Sequence, residues 1–481
     1  MTKNLIIPLE IQKRELNPAI NLVIEALKKN WTVFIGQKQQ LFPFIKTLPK
    51  SVWYLKSIVP GEHTLIKKIY SSKHLITTMD IEGLIPANIP NAYKQRYSYE
   101  NIKLVKKIFF WGKWHYENFN RSFKKINKSK LEITGSPVAD DWINFSYKEK
   151  IKTKKQILII PSFGFANTET KNLNLNMAFD NLGIKNYDSI KNSKSKFVKN
   201  LIDYTELDYE AQKKAYKSFI KLIPKICNKF QNYKIVLRPH PNEDLKMWDN
   251  KIKKIKNFSI DNSKDPSLHI KESEAIVHFN STMSVQSCLM GKKVILYFDI
   301  NKKYLNVISP VVKKVSKICT KVSDIEKEIR KKNKTNNYKF LKYILKRTTN
   351  TQNSACKEIV NTFEKIHNSK AEYFDINKFN SSFKSKFLYH YYNSINDFIV
   401  PFLSYFTFIK YFERFSHGEI YRKYNTSRKA SFKKKWRDIT IKNMRKKILK
   451  NIDLNKNLKK HIKVQKHFSG FFIITNSNYK L

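Results

Sequence analysis

The chain has 481 residues, with 93 Lys and Arg against 39 Asp and Glu, and 41% of it is hydrophobic. This length predicts two to three domains, and the apolar content is sufficient for buried cores, which excludes a disordered protein. The formal charge of +54 suits an anionic partner such as nucleic acid, a membrane surface or a phosphorylated substrate. About half of the excess reflects the Lys-, Asn- and Ile-rich composition of the whole chain.

The first predicted domain covers residues 1–146 and alternates strand and helix patterns. In the helical segment after the first strand, Asn17 is the predicted cap and Pro18 the first helical residue. Such alternation predicts a parallel sheet covered on both faces. The predicted strands are 4–10, 31–36, 74–80, 107–112 and 131–135.

A charged linker over 147–155 precedes a second domain of the same kind, predicted over residues 156–335. It contains a long helix over 208–230, and its predicted strands are 156–167, 233–241, 274–281 and 292–299. Residues 336–481 are predicted as a helical, aromatic and basic extension. The fold class is therefore α/β, with two Rossmann-like domains in tandem and a cleft between them.

An arginine and a histidine follow the apolar strand "YKIVL" of the second domain. Ligands of open parallel sheets bind beyond the carboxyl ends of the strands, and Arg238 and His240 lie at such an end. The prolines Pro239 and Pro241 restrict the backbone there. Both polar side chains could bind a phosphate group, although a structural turn histidine is the competing interpretation.

A cluster of hydroxyl groups follows the strand "EAIVHF". Asn280, Ser281, Thr282 and Ser284 open a short predicted helix that ends at Gly291. Hydroxyls and unpaired backbone N–H groups at a helix start favour an anion site, although each hydroxyl could also serve only as a cap.

The first domain contributes an acidic loop in "TTMDIEGLIP". Asp80 and Glu82 at this strand end could supply a general base facing the cleft; a solvated loop is the alternative. In "SFGFAN" of the second domain, Gly164 and Asn167 could let the backbone approach a ligand, or could form an ordinary turn.

Other common motifs are missing from the sequence. It contains no P-loop, GxGxxG or GxSxG motif, which counts against NTPase, dinucleotide and serine-hydrolase functions. No DxD motif stands at a convincing strand end, and the four cysteines are scattered without zinc or disulfide spacing. We therefore predict no metal and no cofactor apart from the substrate.

Taken in order over about residues 4–300, these motifs resemble the bacterial surface carbohydrate (surface polysaccharide) biosynthesis proteins. That family is similar to GT-B glycosyltransferases. The resemblance implies an acceptor domain over 1–146 and a nucleotide-sugar donor domain over 156–335.

More distantly, the acidic, HP and Ser/Thr motifs are similar to those of bacterial sialyl-, polysialyl- and Kdo-transferases. This similarity implies that Glu82 is the general base, that His240 contacts the donor phosphate, and that Ser281 and Thr282 bind the same CMP group. The chain departs from the pattern where Ile81 separates the two acids. It departs again where "NST" replaces a Ser pair.

The predicted function is transfer of a nonulosonic acid or Kdo-like sugar from a CMP-activated donor to a glycan acceptor in capsule, O-antigen or lipopolysaccharide biosynthesis. Teichoic-acid type glycerophosphotransferases, which act on CDP-glycerol, also carry an RPHP strand and rank second. Their serines usually follow an aspartate, whereas Asn280 stands here.

The last hundred residues combine aromatic and basic composition. Residues 387–415 are densely aromatic, and 421–465 hold 17 Lys and Arg against two Asp. This composition favours either an anionic membrane surface or a helical bundle that packs on the core. A nucleic-acid-binding protein is the alternative of a different class, but it leaves the three cleft motifs unexplained. No apolar run suits a signal peptide or spanning helix, so we expect a cytoplasmic protein that is either cytosolic or peripheral on the inner face of the cytoplasmic membrane.

Overall fold

A computed structural model describes residues 3–86, 88–148, 151–167, 195–240, 243–250, 252, 255–331, 338–346, 354–367, 439–451, 456–467 and 469–476. Its described strands form two sheets. The elements of the first domain are β1 (Lys3–Leu9), α1 (Gln12–Leu27), β2 (Trp31–Gln37), α2 (Lys38–Leu41), β3 (Val52–Leu55), α3 (His63–Ser71), β4 (Leu75–Met79), α4 (Tyr99–Leu104), β5 (Lys107–Phe110), α5 (Lys113–Ser122), β6 (Leu131–Ile133) and α6 (Pro137–Lys148).

The second domain contributes β7 (Gln156–Ile160), α7 (Lys196–Lys229), β8 (Lys234–Leu237), α8 (Leu245–Asp249), β9 (Phe258–Ile260), α9 (Pro266–Glu272), β10 (Ala275–His278), α10 (Met283–Leu289), β11 (Lys293–Tyr297), α11 (Pro310–Val315), β12 (Lys317–Cys319) and α12 (Val322–Arg330). The C-terminal region adds α13 (Tyr338–Ile344), α14 (Ala355–Ile366), α15 (Ile441–Asn451), α16 (Lys456–His461), β13 (Ile462–Lys466) and β14 (Phe472–Asn476). Short 3₁₀ turns lie at Phe42–Phe44, Pro60–Glu62, Ala92–Gln95, Lys128–Lys130 and Lys302–Val307.

Both sheets are parallel where the sequence predicts strands. The order of the first is β13-β14-β2-β1-β3-β4-β5-β6, and that of the second is β12-β11-β10-β7-β8-β9. Alternate residues of a strand pack into the hydrophobic cores on opposite faces of the sheet. In β1, Leu5 and Ile7 belong to one hydrophobic cluster and Ile6 to another. The predicted α/β, GT-B-like architecture with two Rossmann-like sheets is confirmed.

The first helix begins earlier than the sequence pattern predicts. Asn17 was the expected cap, but α1 starts at Gln12 and contains Pro18 in its interior. Glu15 in the first turn accepts a hydrogen bond of 2.6 Å from the backbone N–H of Glu10, which holds the chain where it leaves β1. The prediction for Asn17 is therefore wrong.

The C-terminal region is not wholly helical. Strand β14 pairs antiparallel with β2, and β13 pairs with β14, so the end of the chain extends the first sheet. Helices α14 and α15 pack against α1. The prediction of a helical extension thus needs correction, since edge pairing with β2 supplies a hydrogen-bonding partner that no local pattern shows. The aromatic segment 387–415 lies outside the described residues.

None of the described helices is both long enough and apolar enough to cross a membrane.

Candidate functional site

The three predicted segments of the second domain follow three neighbouring strands. Strands β10, β7 and β8 are adjacent and parallel, so their carboxyl ends meet at one edge of the sheet. The chain order reverses between β7 and β10, and this is where ligands of open parallel sheets bind. Residues 161–167, 238–240 and 279–284 therefore lie at one edge of the sheet.

Aromatic side chains support this edge from below. Phe163, which follows β7, lies 5.4 Å from the ring of Phe279, which follows β10, and 6.2 Å from Trp248 in α8. All three rings are buried. The loops after β7, β8 and β10 therefore pack on one shared cluster of aromatic rings, which fixes their relative positions.

The loop after β8 places its two polar residues differently. Arg238 is 8% exposed, and its Nη1 donates a hydrogen bond of 2.9 Å to the carbonyl of Lys264. His240 is exposed. In this arrangement Arg238 holds the loop after β9, while His240 is presented at the edge; contact of either with a donor stays a prediction. Pro241 lies outside the described residues.

In the loop after β10, the side chain of Asn280 is hydrogen-bonded within the protein. Asn280 has a left-handed backbone (φ 43°). Its amide donates to the carbonyl of Val307 at 3.2 Å and accepts from the N–H of Ser309 at 3.1 Å. Asn280 therefore joins two loops, and a direct donor contact stays a prediction.

The hydroxyls that follow Asn280 differ in exposure. Ser281 is 5% exposed, and its Oγ accepts a 3.3 Å hydrogen bond from the N–H of Met283. Ser284 is fully buried, with no hydrogen-bond partner for its Oγ among the described residues. Thr282 is exposed. Of these three hydroxyls, only that of Thr282 is openly accessible to a ligand.

The loop after β7 is tightly held. Ser162 has an unusual left-handed backbone for a non-glycine residue (φ 83°). Asn167 is fully buried, and its Nδ2 donates to the carbonyl of Asp244 at 3.3 Å. Gly164 is half-buried within the turn. Asn167 therefore connects this loop to the loop after β8.

Asp80 of the first domain is a buried anchor. Its side chain is 0% exposed and accepts two hydrogen bonds from Arg96, at 2.6 and 2.7 Å. Its Oδ1 also accepts from the backbone N–H of Glu82 at 3.0 Å. As placed, Asp80 positions Arg96 and the Glu82 loop rather than facing a ligand.

Glu82 is 43% exposed and paired with two arginines. Arg14 Nη1 lies 2.9 Å from one carboxylate oxygen, and Arg96 Nη1 lies 3.2 Å from the other. Burial raises the pKa of Glu82, but the charges of Arg14, Arg96 and Lys56 outweigh it and hold the pKa well below its usual range. The carboxylate is thus ionised at neutral pH, yet it is a weak base while both arginines remain in place.

Gly83 is required by close packing. A Cβ at this position would lie 2.3 Å from Cε1 of His115, whose ring is fully buried. Burial lowers the pKa of His115 to about 4, although the charge of Asp80 opposes this shift. A neutral histidine therefore supports the acidic loop from below.

The acidic loop belongs to a continuous chain of alternating charges along the edge of the first sheet. Lys56 pairs with Glu10 and lies 3.7 Å from Glu15, which in turn lies 3.3 Å from Arg14. Lys38 joins Glu10, at 2.7 Å, to Glu62. An apolar cavity at this edge is lined by Pro8, Leu9, Tyr54, Ile81, Pro137 and Val138 among others.

The loops from the two domains meet. Beyond Glu82, Ile85 packs on the hydrophobic core of the second domain, and Asn88 Nδ2 donates to the carbonyl of Asn306 at 2.8 Å. The next residue, Val307, accepts from Asn280. Asn88, six residues after Glu82, and Asn280, next to Ser281, therefore contact the same segment, 306–309. The stretch that follows the acidic motif thus lies close to the Ser/Thr loop.

Sequence reasoning missed Arg14, Arg96 and Glu243, a buried carboxylate that holds the loops after β7 and β8. None stands in a recognisable motif beside its partner, since Arg14 and Arg96 are 68 and 14 positions from Glu82. The only available signal for Glu243 was its position just after "RPHP". Among the described residues, no group of three or more His, Cys, Asp or Glu side chains could hold a metal ion.

Fold and site together describe an α/β, GT-B-like protein with polar loops at two facing sheet edges. No family model and no curated protein sequence matches the chain. Membership of the surface polysaccharide family therefore stays a prediction.

Several solved structures are similar in fold. The UDP-GlcNAc 2-epimerase from Methanocaldococcus jannaschii is 12% identical, with a TM-score of 0.44 over 76% of this chain and 100% of that chain. The UDP-GlcNAc 2-epimerase from Neisseria meningitidis, bound to UDP-GlcNAc, is 13% identical, with a TM-score of 0.42 over 76% and 100%. The wall teichoic acid polymerase TagF, soaked with CDPG, is 13% identical, with a TM-score of 0.40 over 76% and 88%. Similarity at this level concerns the fold alone.

Proposed function

We propose that this protein is a glycosyltransferase of surface polysaccharide biosynthesis, which transfers a nonulosonic acid or Kdo-like sugar from a CMP-activated donor to a glycan acceptor. The observation that carries the proposal is that Asn88, six residues after Glu82, and Asn280, next to Ser281, donate hydrogen bonds to the neighbouring carbonyls of Asn306 and Val307. The choice of CMP rests on the motif resemblance alone.

In the proposed reaction, the acceptor hydroxyl oxygen bonds to the anomeric carbon while the bond from that carbon to the CMP phosphate oxygen breaks. The bonding electrons leave with CMP, and Glu82 takes the proton of the hydroxyl. His240 and Thr282, both exposed at the second edge, stabilise the departing phosphate as preorganised polar groups.

Glu82 needs partial release from its arginines to act in this way. An acceptor hydroxyl that approaches Glu82 competes with Arg14 for the same carboxylate oxygen, and loss of that contact raises the basicity of the group. Arg14 has Glu15 at 3.3 Å as a second partner. The release therefore leaves no unpaired arginine.

The test is a thermal-shift panel with CMP, CDP, UDP and GDP. A ligand that binds the folded state raises the unfolding temperature by mass action, so a selective rise with CMP supports the proposal. A selective rise with CDP favours the glycerophosphotransferase. A rise with UDP or GDP alone refutes the CMP assignment but is consistent with transfer of a sugar from another nucleotide.

We also propose that α15 places the protein on an anionic membrane surface. Met444 and Ile448 are buried against the first domain, whereas Lys442, Arg445 and Lys446 are exposed. No acidic residue occurs in this helix. Each cation near an anionic bilayer contributes about 1 kcal/mol of binding.

Vesicle sedimentation tests this surface. Binding to vesicles with phosphatidylglycerol, but not to pure phosphatidylcholine, is expected, and the triple variant Lys442→Glu, Arg445→Glu, Lys446→Glu should abolish it. A control matched in charge is Lys67→Glu, Lys68→Glu, Lys73→Glu, three exposed lysines in and just after α3. Tight, salt-sensitive RNA binding without vesicle binding would instead support the nucleic-acid alternative.

A further inference from the structure

A buried carboxylate connects the two loops that surround the proposed donor site. Glu243 is 6% exposed, and its Oε1 accepts backbone hydrogen bonds from His240 at 3.0 Å, Phe163 at 3.0 Å and Ser162 at 3.3 Å. Its Oε2 accepts from Nε1 of Trp248 at 2.8 Å. One side chain therefore satisfies four donors from three separate places in the chain.

The arrangement fixes His240 in particular. The backbone N–H of Glu243 donates to the carbonyl of His240 at 2.9 Å, while the Glu243 side chain accepts from the N–H of His240. These reciprocal bonds tie the backbone of His240 directly to Glu243. The imidazole of His240 is exposed, while its backbone N–H and carbonyl groups are both hydrogen-bonded to Glu243.

The loop after β7 depends on the same carboxylate. Ser162 has a left-handed backbone, which costs free energy in a residue that has a Cβ. The bond from its N–H to Glu243 helps to hold this conformation. Further along the loop, the N–H of Phe165 donates to Gln212 at 3.1 Å, and Gln212 donates to Asp208 at 2.9 Å.

Burial favours the protonated form of Glu243, and the hydrogen bonds it accepts oppose that effect; the pKa is raised overall. The geometry nevertheless uses the group as an acceptor, because Ser162, Phe163, His240 and Trp248 all donate N–H groups to it. Hydrogen bonds to a charged acceptor are shorter and stronger than neutral ones. An amide in place of the carboxylate would point its own N–H groups at other donors.

We propose that Glu243 is a positioning residue for the donor: it holds the loops after β7 and β8 in the geometry in which His240 meets the donor phosphate. This inference rests on the proposed function. Glu243 itself does not touch the donor, since its oxygens are occupied by backbone and Trp248 donors.

The experiment compares Glu243→Gln with Asp244→Asn as a matched control. Asp244 is the adjacent carboxylate, but its side chain caps only its own helix by accepting from Lys246 at 2.9 Å. Asparagine is an equally good cap, so the control should behave as wild type. Glu243→Asp keeps the charge, but its shorter side chain cannot reach all four donors. This variant replaces Glu243→Gln in the experiment if Glu243→Gln does not fold.

Two measurements are made on the full chain. Hydrogen–deuterium exchange of the free protein should be faster in peptides that contain residues 162–163 and 240, by about tenfold or more in Glu243→Gln. The dissociation constant of CMP and the donor KM should rise by about tenfold or more, while the acceptor KM is unchanged.

Each outcome decides a different point. Unchanged exchange in these peptides overturns the inference, and so does unchanged CMP affinity in a variant whose wild type binds CMP. If the wild type binds no CMP, the proposed function fails, and the exchange data alone decide whether Glu243 holds the loops. An acceptor KM that rises together with the donor KM indicates a general structural role and also overturns the inference.

Discussion

The acids Asp80 and Glu82 are two residues apart, yet their replacement should have opposite consequences. We expect Glu82→Gln to lose catalysis with little loss of stability, and Asp80→Asn to lose stability first. The difference arises because Glu82 is 43% exposed and Asp80 is fully buried.

The magnitude for Glu82→Gln follows from the partners that remain. Arg14 keeps Glu15 at 3.3 Å, and Arg96 keeps both hydrogen bonds to Asp80. Because Glu82 is 43% exposed, water screens its two ion pairs and each contributes at most about 1 kcal/mol, so the free energy of unfolding should fall by at most about 2 kcal/mol. Loss of a general base lowers turnover by about 10²- to 10⁴-fold.

Asp80→Asn removes the charge from a buried pair. Arg96, whose side chain is only 19% exposed, loses its ionic partner at 2.6 Å. Breaking a buried ion pair on one side costs about 3 to 5 kcal/mol when the other charge is left uncompensated. Because Arg96 keeps Glu82 at 3.2 Å, we expect a loss near the lower end of that range, about 3 kcal/mol. Activity should fall only as far as the folded fraction falls.

Urea unfolding followed by circular dichroism gives the stabilities, and release of CMP from a CMP-sugar gives the rates. Glu100→Gln is the control, since Glu100 is an exposed acid of the same domain. Near-normal turnover by folded Glu82→Gln removes Glu82 as the base. Wild-type stability of Asp80→Asn shows that its pairing with Arg96 does not hold the loop.

Three further changes test other parts of the structure. His240→Ala should leave the unfolding temperature unchanged, because the side chain is exposed. In a donor titration it should raise the donor KM by about tenfold or more. An unaltered donor KM contradicts the contact between His240 and the donor phosphate. Burial raises the pKa of Asp208 to about 7 from 3.8, so the folded chain binds that proton more tightly than the unfolded chain and loses stability as the pH rises from about 4 to about 7. Asp208→Asn should therefore stabilise the protein at pH 8 by about 2 to 4 kcal/mol, measured by urea unfolding. Equal stability of the two proteins at pH 8 argues against the shift. Phe471 is fully buried, and its ring lies 6.4 Å from that of Phe34 in β2 and 5.9 Å from that of Phe44, so Phe471→Ala should cost about 3 to 5 kcal/mol. A cost below about 1 kcal/mol would show that this packing of the C-terminal region does not stabilise the first sheet.

The alternation of strand and helix patterns was enough to predict two parallel sheets. Strands buried on both faces need nearly continuous apolar runs, and "QILII" and "AIVH" are runs of this kind whose residues are all buried. The motif positions at strand ends were likewise readable from the sequence, because a strand end and the turn after it are local features. Parallel strands then necessarily bring such ends to one edge.

Other features depend on contacts between distant parts of the chain. Strand β14 was missed because its partner β2 lies more than 400 residues earlier. The pairing of Arg14 and Arg96 with Glu82 needs α1 to start at Gln12 and the turn at residues 92–95 to fold back over β4.

The sequence by itself therefore determined the two α/β units and the strand ends at which the polar motifs lie. Only the tertiary structure decided which of those polar groups are accessible: His240 and Thr282 are exposed, whereas Asp80 and Arg238 are buried by their partners. The physical reason is that periodicity and turn chemistry act over a few residues. Burial and ion pairing are properties of groups that the fold brings together.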